Sequence, residues 1–174
     1  PLFMSYIVKI YTMRAILDLS GILNKLLVAI HILQEPSRQF IYNQTAILIT
    51  MVVIFLPFII LPIFLSLERI PKNLVNASSD LGAGTLTTLR HIILPLSLPG
   101  TISGALFTFV LALGDFVTPQ MVGGPNGFTF SRVIWSQFGL AYNWPLGAAL
   151  GVILFTTALF IIISAGLASQ QSKV

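Results

Sequence analysis

The sequence predicts an all-α protein, a polytopic transmembrane helical bundle, and two observations carry that prediction. Only 8% of the 174 residues are charged, nine basic and five acidic, while 56% are hydrophobic; an average soluble domain is about 25% charged. The charges also leave three long gaps, residues 39–67, 91–114 and 133–172, that contain no Asp, Glu, Lys or Arg. Each gap is longer than the about 20 apolar residues a helix needs to cross a hydrocarbon layer about 30 Å thick. One charge at mid-membrane costs about 2.5–3.5 kcal/mol, so gaps of this length mark spans.

Composition also narrows the function classes. The net charge of +4 is dispersed, and no run of Lys or Arg forms a stripe that could track phosphates, so a nucleic-acid binder is not indicated. There is no Cys, which removes disulfides and Cys-ligated metals. His31 and His91 are far apart and lack metal-ligand spacing. No metal or cofactor is expected. The chain opens on Pro1 without a basic leader or a cleavage site, so it is expected to be the C-terminal part of a longer protein, lacking its first helix or helices.

Residues 1–17 read as the end of a spanning helix entering an interface, where Lys9, Arg14, Tyr6 and Tyr11 place polar tips among headgroups. Residues 22–33 carry Ile22, Leu23, Leu26, Leu27, Ile30 and Leu33 at helical spacing, which predicts an amphipathic helix too short to span. Glu35, Pro36 and Ser37 end it. Residues 40–67 form the clearest span. Pro57 and Pro62 lie inside it, each removing a helix hydrogen bond, and they either shape packing or bend the helix along a pathway.

Residues 68–100 hold Glu68, Arg69, Lys72, Asp80, Arg90 and His91 and predict a folded loop. Two short helices, 72–81 and 85–93, are expected on either side of a glycine corner at 82–84, with breaks at Leu94-Pro95 and at Pro99-Gly100. The next span, 101–117, is rich in Gly, Ala, Ser and Thr, which let membrane helices approach closely inside a bundle. Asp115 then either faces a water-filled path, where its carboxylate would suit a polycation, or caps a helix beginning in 116–121. An irregular stretch leads to a short segment at 128–140. Arg132 there reads as a surface contact, and Trp135, Tyr142 and Trp144 as interface anchors or, alternatively, a cation-binding cage. Residues 146–168 form the last span and 169–174 a polar tail. Basic residues divide nearly evenly between alternate loops, so charge bias does not orient the chain.

Asn76-Ala77-Ser78-Ser79-Asp80-Leu81-Gly82-Ala83, followed by Leu94-Pro95-Leu96-Ser97-Leu98-Pro99-Gly100, resembles the signature loop of ATP-binding-cassette importer permeases. That signature reads roughly E-A-A-x-x-L-G-A, a helical spacer, then L-P-L-x-x-P-G. Arg14-Ala15-Ile16-Leu17, Gly21-Ile22-Leu23-Asn24, Leu56-Pro57-Phe58 and Gly114-Asp115-Phe116-Val117-Thr118-Pro119 are similar to the first-type permeases of spermidine/putrescine importers. The likeness covers essentially the whole chain.

The resemblance implies the type I importer permease fold, residues 1–174 as one permease domain, 68–100 as a cytoplasmic coupling loop and 118–145 as an extracytoplasmic loop with a short helix. It implies a multi-pass protein of the bacterial inner membrane and a translocation path for a small solute, foremost a polyamine. The partners it implies are cytoplasmic ATPase subunits, a second permease subunit and an extracytoplasmic solute-binding protein. Asn76, Ala77, Ser78, Leu81, Gly82, Ala83, Leu94 and Pro95 would form the coupling element, with Gly82 as its corner and Pro95 as the exit into the next span. Asp115, Pro57 and Pro62 are candidates for the path. Asn76 stands where the signature has an acid, and Ser78 where it has Ala. No Gly-rich loop ending in Gly-Lys-Ser/Thr is present, so no catalytic residue is expected. Permeases of this kind also serve ferric iron, thiamine and phosphonates; a channel or a non-transporting scaffold are the rival classes.

Overall fold

The computed structural model describes residues 5–171. Residues 1–4 of the first predicted helix and 172–174 of the predicted tail, including Lys173, lie outside them. Among the described residues every regular element is helical: α1 (Tyr6–Leu17), α2 (Ile22–Ala29), α3 (Gln44–Glu68), α4 (Lys72–Asp80), α5 (Thr85–Thr88), α6 (Leu94–Gly114), α7 (Val117–Val122), α8 (Phe130–Gly139) and α9 (Trp144–Gln171). A 3-10 turn covers Arg38–Phe40 and a π turn Leu89–Ile93. Three stretches are long and apolar enough to cross a membrane: Gln44–Glu68, Thr85–Gly114 and Trp144–Gly166.

The chain divides into two compact units, one made of the residues up to Phe55 with Leu111–Ala158, the other of Leu56–Val110 with the chain from Leu159 on. In the first, Ile10, Met13 and Leu17 line one face of α1 and are buried, joined in the core by Ile41, Ala46, Ile47 and Val122. The α2 helix is built against intuition: its fully buried residue is Asn24, while Ile22, Leu26 and Ile30 are exposed. Asn24 Nδ2 donates to Asp18 O (3.0 Å) and Ser37 O (3.1 Å), and its Oδ1 accepts from Ser37 N (2.9 Å). A buried amide that makes its hydrogen bonds avoids the penalty of an unsatisfied one, and these bonds tie both ends of the α2 segment together.

Several helix ends differ from the sequence expectation. The α2 helix stops at Ala29, short of 33, because His31 takes a left-handed backbone at φ 59°. His31 N–H then bonds Val28 O and Ile32 N–H bonds Leu27 O, the Schellman ending normally built on Gly. The first span begins at Gln44, four residues later than expected, where Asn43 Oδ1 accepts from Ala46 N at 2.8 Å. Pro57 and Pro62 lie within α3 without ending it.

The expected breaks at Leu94-Pro95 and Pro99-Gly100 are absent: the chain is helical without interruption from Thr85 to Gly114. The π turn explains the first. Leu94 N–H reaches back five residues to Leu89 O, so the register changes just where Pro95 has no N–H to give. The second span therefore starts well before 101, and it ends at Gly114, not 117, because Asp115 turns the chain into α7. The last helix starts at Trp144 and runs on to Gln171, past the expected start of the tail.

In the second unit α6 lies on α3 with almost nothing between their backbones. A Cβ at Gly100 would run into Ser66 Cβ and sit 2.6 Å from Pro62 O, and one at Gly104 3.0 Å from Ile59 O. Phe58 and Phe107 meet at 5.9 Å beside this crossing. The small-residue pattern predicted such an approach, and Gly100 and Gly104 are where it occurs.

Candidate functional site: a two-armed corner and the Asp115 turn

Two regions gather the residues singled out in the sequence. The first is the corner between α4 and α5. Pro71 precedes α4, and nine residues later the helix ends in a Schellman motif: Ala83 N–H bonds Ser78 O (3.0 Å) and Gly82 N–H bonds Ser79 O (2.9 Å). Gly82 sits at φ +79°, a conformation that glycine adopts without the Cβ penalty. Asn76, Ala77, Leu81 and Gly82 are exposed, Leu81 at 88%, and Leu86 beyond the corner at 77%. Leu94 and Pro95 are exposed as well, and Ala83 is half-buried.

Ser78 behaves differently from its neighbours in the motif. It is buried, and its Oγ lies 2.8 Å from the buried Oγ1 of Thr88 on the other arm. The remaining hydroxyl proton of the pair has a helical carbonyl within reach, Val75 O at 2.9 Å or Gly84 O at 3.3 Å. Serine in place of the signature's alanine thus joins the two arms. Thr88 was not singled out in the sequence, since it lies ten residues away across a turn and no periodicity links the two.

The second region is the turn at Asp115, whose side chain is 6% exposed. Its Oδ1 accepts from the N–H groups of Val117 and Thr118, both at 3.0 Å, which is the capping geometry among the two alternatives. The other oxygen, Oδ2, is buried without a hydrogen-bond partner. The Tyr6 hydroxyl lies beside the carboxylate and 3.2 Å from Thr118 Oγ1, a pair in which either hydroxyl can donate, so Tyr6 can accept from Thr118 and turn its own proton to Asp115.

Arg132, expected as a surface contact, is half-buried and also clamps the main chain. Its Nη1 donates to Gly124 O and Gly127 O at 2.7 Å each and to Pro119 O at 3.3 Å, gathering the chain between α7 and α8. Gly124 is left-handed at φ +60°, and a Cβ there would meet Tyr42 Cβ at 2.7 Å. Trp135, Tyr142 and Trp144, read as interface anchors or alternatively as a cage, make separate contacts. Trp135 stacks on Phe116 and Trp144 meets Phe138 edge-on, both pairs at 5.9 Å, and Tyr142 is exposed.

Comparison with known proteins fits this architecture. Residues 6–174 match the family described as "Binding-protein-dependent transport system inner membrane component". The chain is 34% identical over 164 residues to the spermidine/putrescine transport system permease protein PotB of Haemophilus influenzae, covering 92% of this chain and 57% of that protein. It is 37% identical over 165 residues to the inner membrane ABC transporter permease protein YdcU of Escherichia coli K12, covering 88% and 52%. It is 34% identical over 154 residues to PotB of Escherichia coli K12, covering 88% and 56%. The chain thus spans little more than half the length of the curated relatives it matches. It belongs to the family of binding-protein-dependent transport system inner membrane components, as a multi-pass, all-helical protein with the type I importer permease fold.

Proposed function

We propose that this chain is the membrane-spanning permease subunit of an ATP-driven importer, forming the route for a small solute, foremost a polyamine such as spermidine or putrescine. The permeases called PotB to which it is similar carry that solute in their names. In this reading 68–100 is the cytoplasmic coupling loop and 118–145 the extracytoplasmic segment. Separate ATPase subunits, a second permease subunit and a solute-binding protein complete the machine. The chain itself hydrolyses nothing and only transmits and gates. The observation that carries the reading is the corner: an exposed α4 ending at a left-handed Gly82, joined by one unbroken helix to a membrane-length span.

Asn76, Ala77, Leu81, Gly82 and Ala83 form the docking surface for the ATPase. Asn76 offers a hydrogen-bonding side chain without the charge of the signature acid. Ser78 holds the arms together, and Leu94 and Pro95 form the exit into the span. Closure of the ATPase dimer would push α4, and a corner with fixed dihedrals passes that push on as a rigid-body displacement of the following helix. The π turn Leu89–Ile93 is the place where such a helix yields most readily. Asp115 is proposed to contact the cationic solute. Pro57 and Pro62 are proposed, separately, as bends in α3 along the route.

Purification of the full-length protein from its native membrane tests the reading. An importer subunit brings down an ATPase and a second permease, and vesicles holding the complex accumulate labelled putrescine or spermidine only with ATP. A chain that purifies alone and conducts without ATP would be a channel; one that purifies alone and moves nothing would be a scaffold.

A further inference from the structure

A cavity of about 240 Å³ beside α8 is lined by Gln120, Phe128, Arg132, Trp135, Ser136 and Leu140. All three bonds of the Arg132 guanidinium to backbone carbonyls come from Nη1. The edge formed by Nη2 and Nε therefore keeps its N–H donors, and that edge is the fork that matches a carboxylate with two parallel hydrogen bonds. The clamp holds the cation in place before any ligand arrives, which lowers the ordering cost of binding. The cavity has no acidic residue of its own to neutralise it, and the Arg132 guanidinium lies 5.7 Å from the Phe128 ring centroid. Phe128 and Leu140 are more than half exposed and would shield a charge pair from water.

Size and charge choose the occupant. The cavity is smaller than the about 300–1,000 Å³ of ordinary small-molecule sites, and its fixed positive charge repels a cationic solute. It fits one short acid on a methylene stem. The geometry points to a docking socket for an acidic side chain, Asp or Glu, of the extracytoplasmic protein partner. This rests on the proposed function, in which 118–145 faces that partner.

The test changes Gln120, whose side chain is exposed and makes no hydrogen bond that the fold needs. The full importer is placed in nanodiscs of neutral lipid, and the Kd of the solute-binding protein is measured for wild type, Gln120→Glu and Gln120→Lys. A carboxylate at 120 would occupy or oppose the Arg132 edge, so Gln120→Glu should raise Kd about ten-fold or more, in the range for disturbing a desolvated charge pair. Gln120→Lys should leave Kd unchanged or lower it. Equal shifts in the same direction, or no shift in either, would overturn the socket. A Gln120→Glu effect that appears only when anionic lipid is present would overturn it too, in favour of a lipid phosphate. The side of the membrane is read separately, by labelling Leu140→Cys with a membrane-impermeant maleimide in intact spheroplasts and, in parallel, in inside-out vesicles. Labelling from the cytoplasmic side only refutes the orientation, whatever the Kd.

Discussion

Gly82→Ala isolates the backbone contribution of the corner from any packing effect. A Cβ added at Gly82 meets no heavy atom within 4 Å, so the substitution causes no clash. What it does cause is dihedral strain: an L-residue held at the observed φ of +79° costs roughly 1–2 kcal/mol. The strain falls on a nine-residue helix whose last turn is closed by the Ala83 and Gly82 amides. A penalty of 1–2 kcal/mol changes a two-state population by about 5–30-fold, so the closed corner should lose ground to frayed forms without loss of the spans. Gly82→Asn is the matched control, because Asn enters the left-handed region more readily.

In the reconstituted full importer, solute carried per ATP hydrolysed is expected to fall several-fold for Gly82→Ala and clearly less for Gly82→Asn, with equal membrane insertion. Gly82→Asp adds a charge to a surface proposed to dock on the ATPase, and should uncouple hydrolysis from uptake more severely than Gly82→Asn. Wild-type uptake in Gly82→Asp, or alanine no worse than asparagine, would refute the reasoning.

Three further outcomes follow from distances already given. Ser78→Ala and Thr88→Val should each weaken the corner by about 1 kcal/mol, and the double variant by little more than one of them. Amide exchange across 72–93 measures this, and full additivity would mean that the two hydroxyls do not act as a pair. Gly100→Ala should lower thermal stability in detergent by about 1–3 kcal/mol, since its methyl would meet Pro62 O and Ser66 Cβ; Gly104→Ala should cost less, and equal costs would contradict the crossing described here. Asp115→Asn keeps an oxygen to cap α7 but removes the charge, so near-normal stability with a loss of putrescine uptake is expected; unchanged uptake would leave Asp115 as a cap only.

What was legible in the sequence was what lipid demands. A long charge gap has few explanations in a chain this apolar, so the three membrane-length helices could be located before their ends were known. Ends were harder because they depend on local bonds. Nothing in the type of His31 announces a left-handed helix terminus, and Pro95 and Pro99 are misleading, because prolines that punctuate helices in water persist inside membrane helices when the register shifts around them. Gly82 could be read because only a corner requires it. Asp115 could be read as one of two alternatives, and its hydrogen bonds favour the cap without excluding a role for Oδ2. The clamp made by Arg132 could not be read because its partners are carbonyls of the main chain, which leave no mark on side-chain pattern.

The distribution of polar and apolar groups explains why these few side chains matter so much. Along α9 only 6% of the apolar membrane-length window is buried within the chain, and along α3 22%. Large apolar surfaces therefore contribute little to holding this chain together by itself. Specificity inside the chain falls instead to paired polar groups: Asn24 with Asp18 and Ser37, Ser78 with Thr88, Arg132 with three carbonyls, and Ser131 Oγ with Leu113 O. Against that background an unpaired buried polar atom stands out. Among the described residues the buried side-chain atoms without a partner are Thr50 Oγ1, Thr108 Oγ1 and Asp115 Oδ2. A hydroxyl can be left so at modest cost, a carboxylate oxygen cannot. Of these three atoms only Asp115 Oδ2 belongs to an acid, and the Tyr6 hydroxyl lies beside it; that places substitution of Asp115 ahead of any aromatic one as a probe of the solute route.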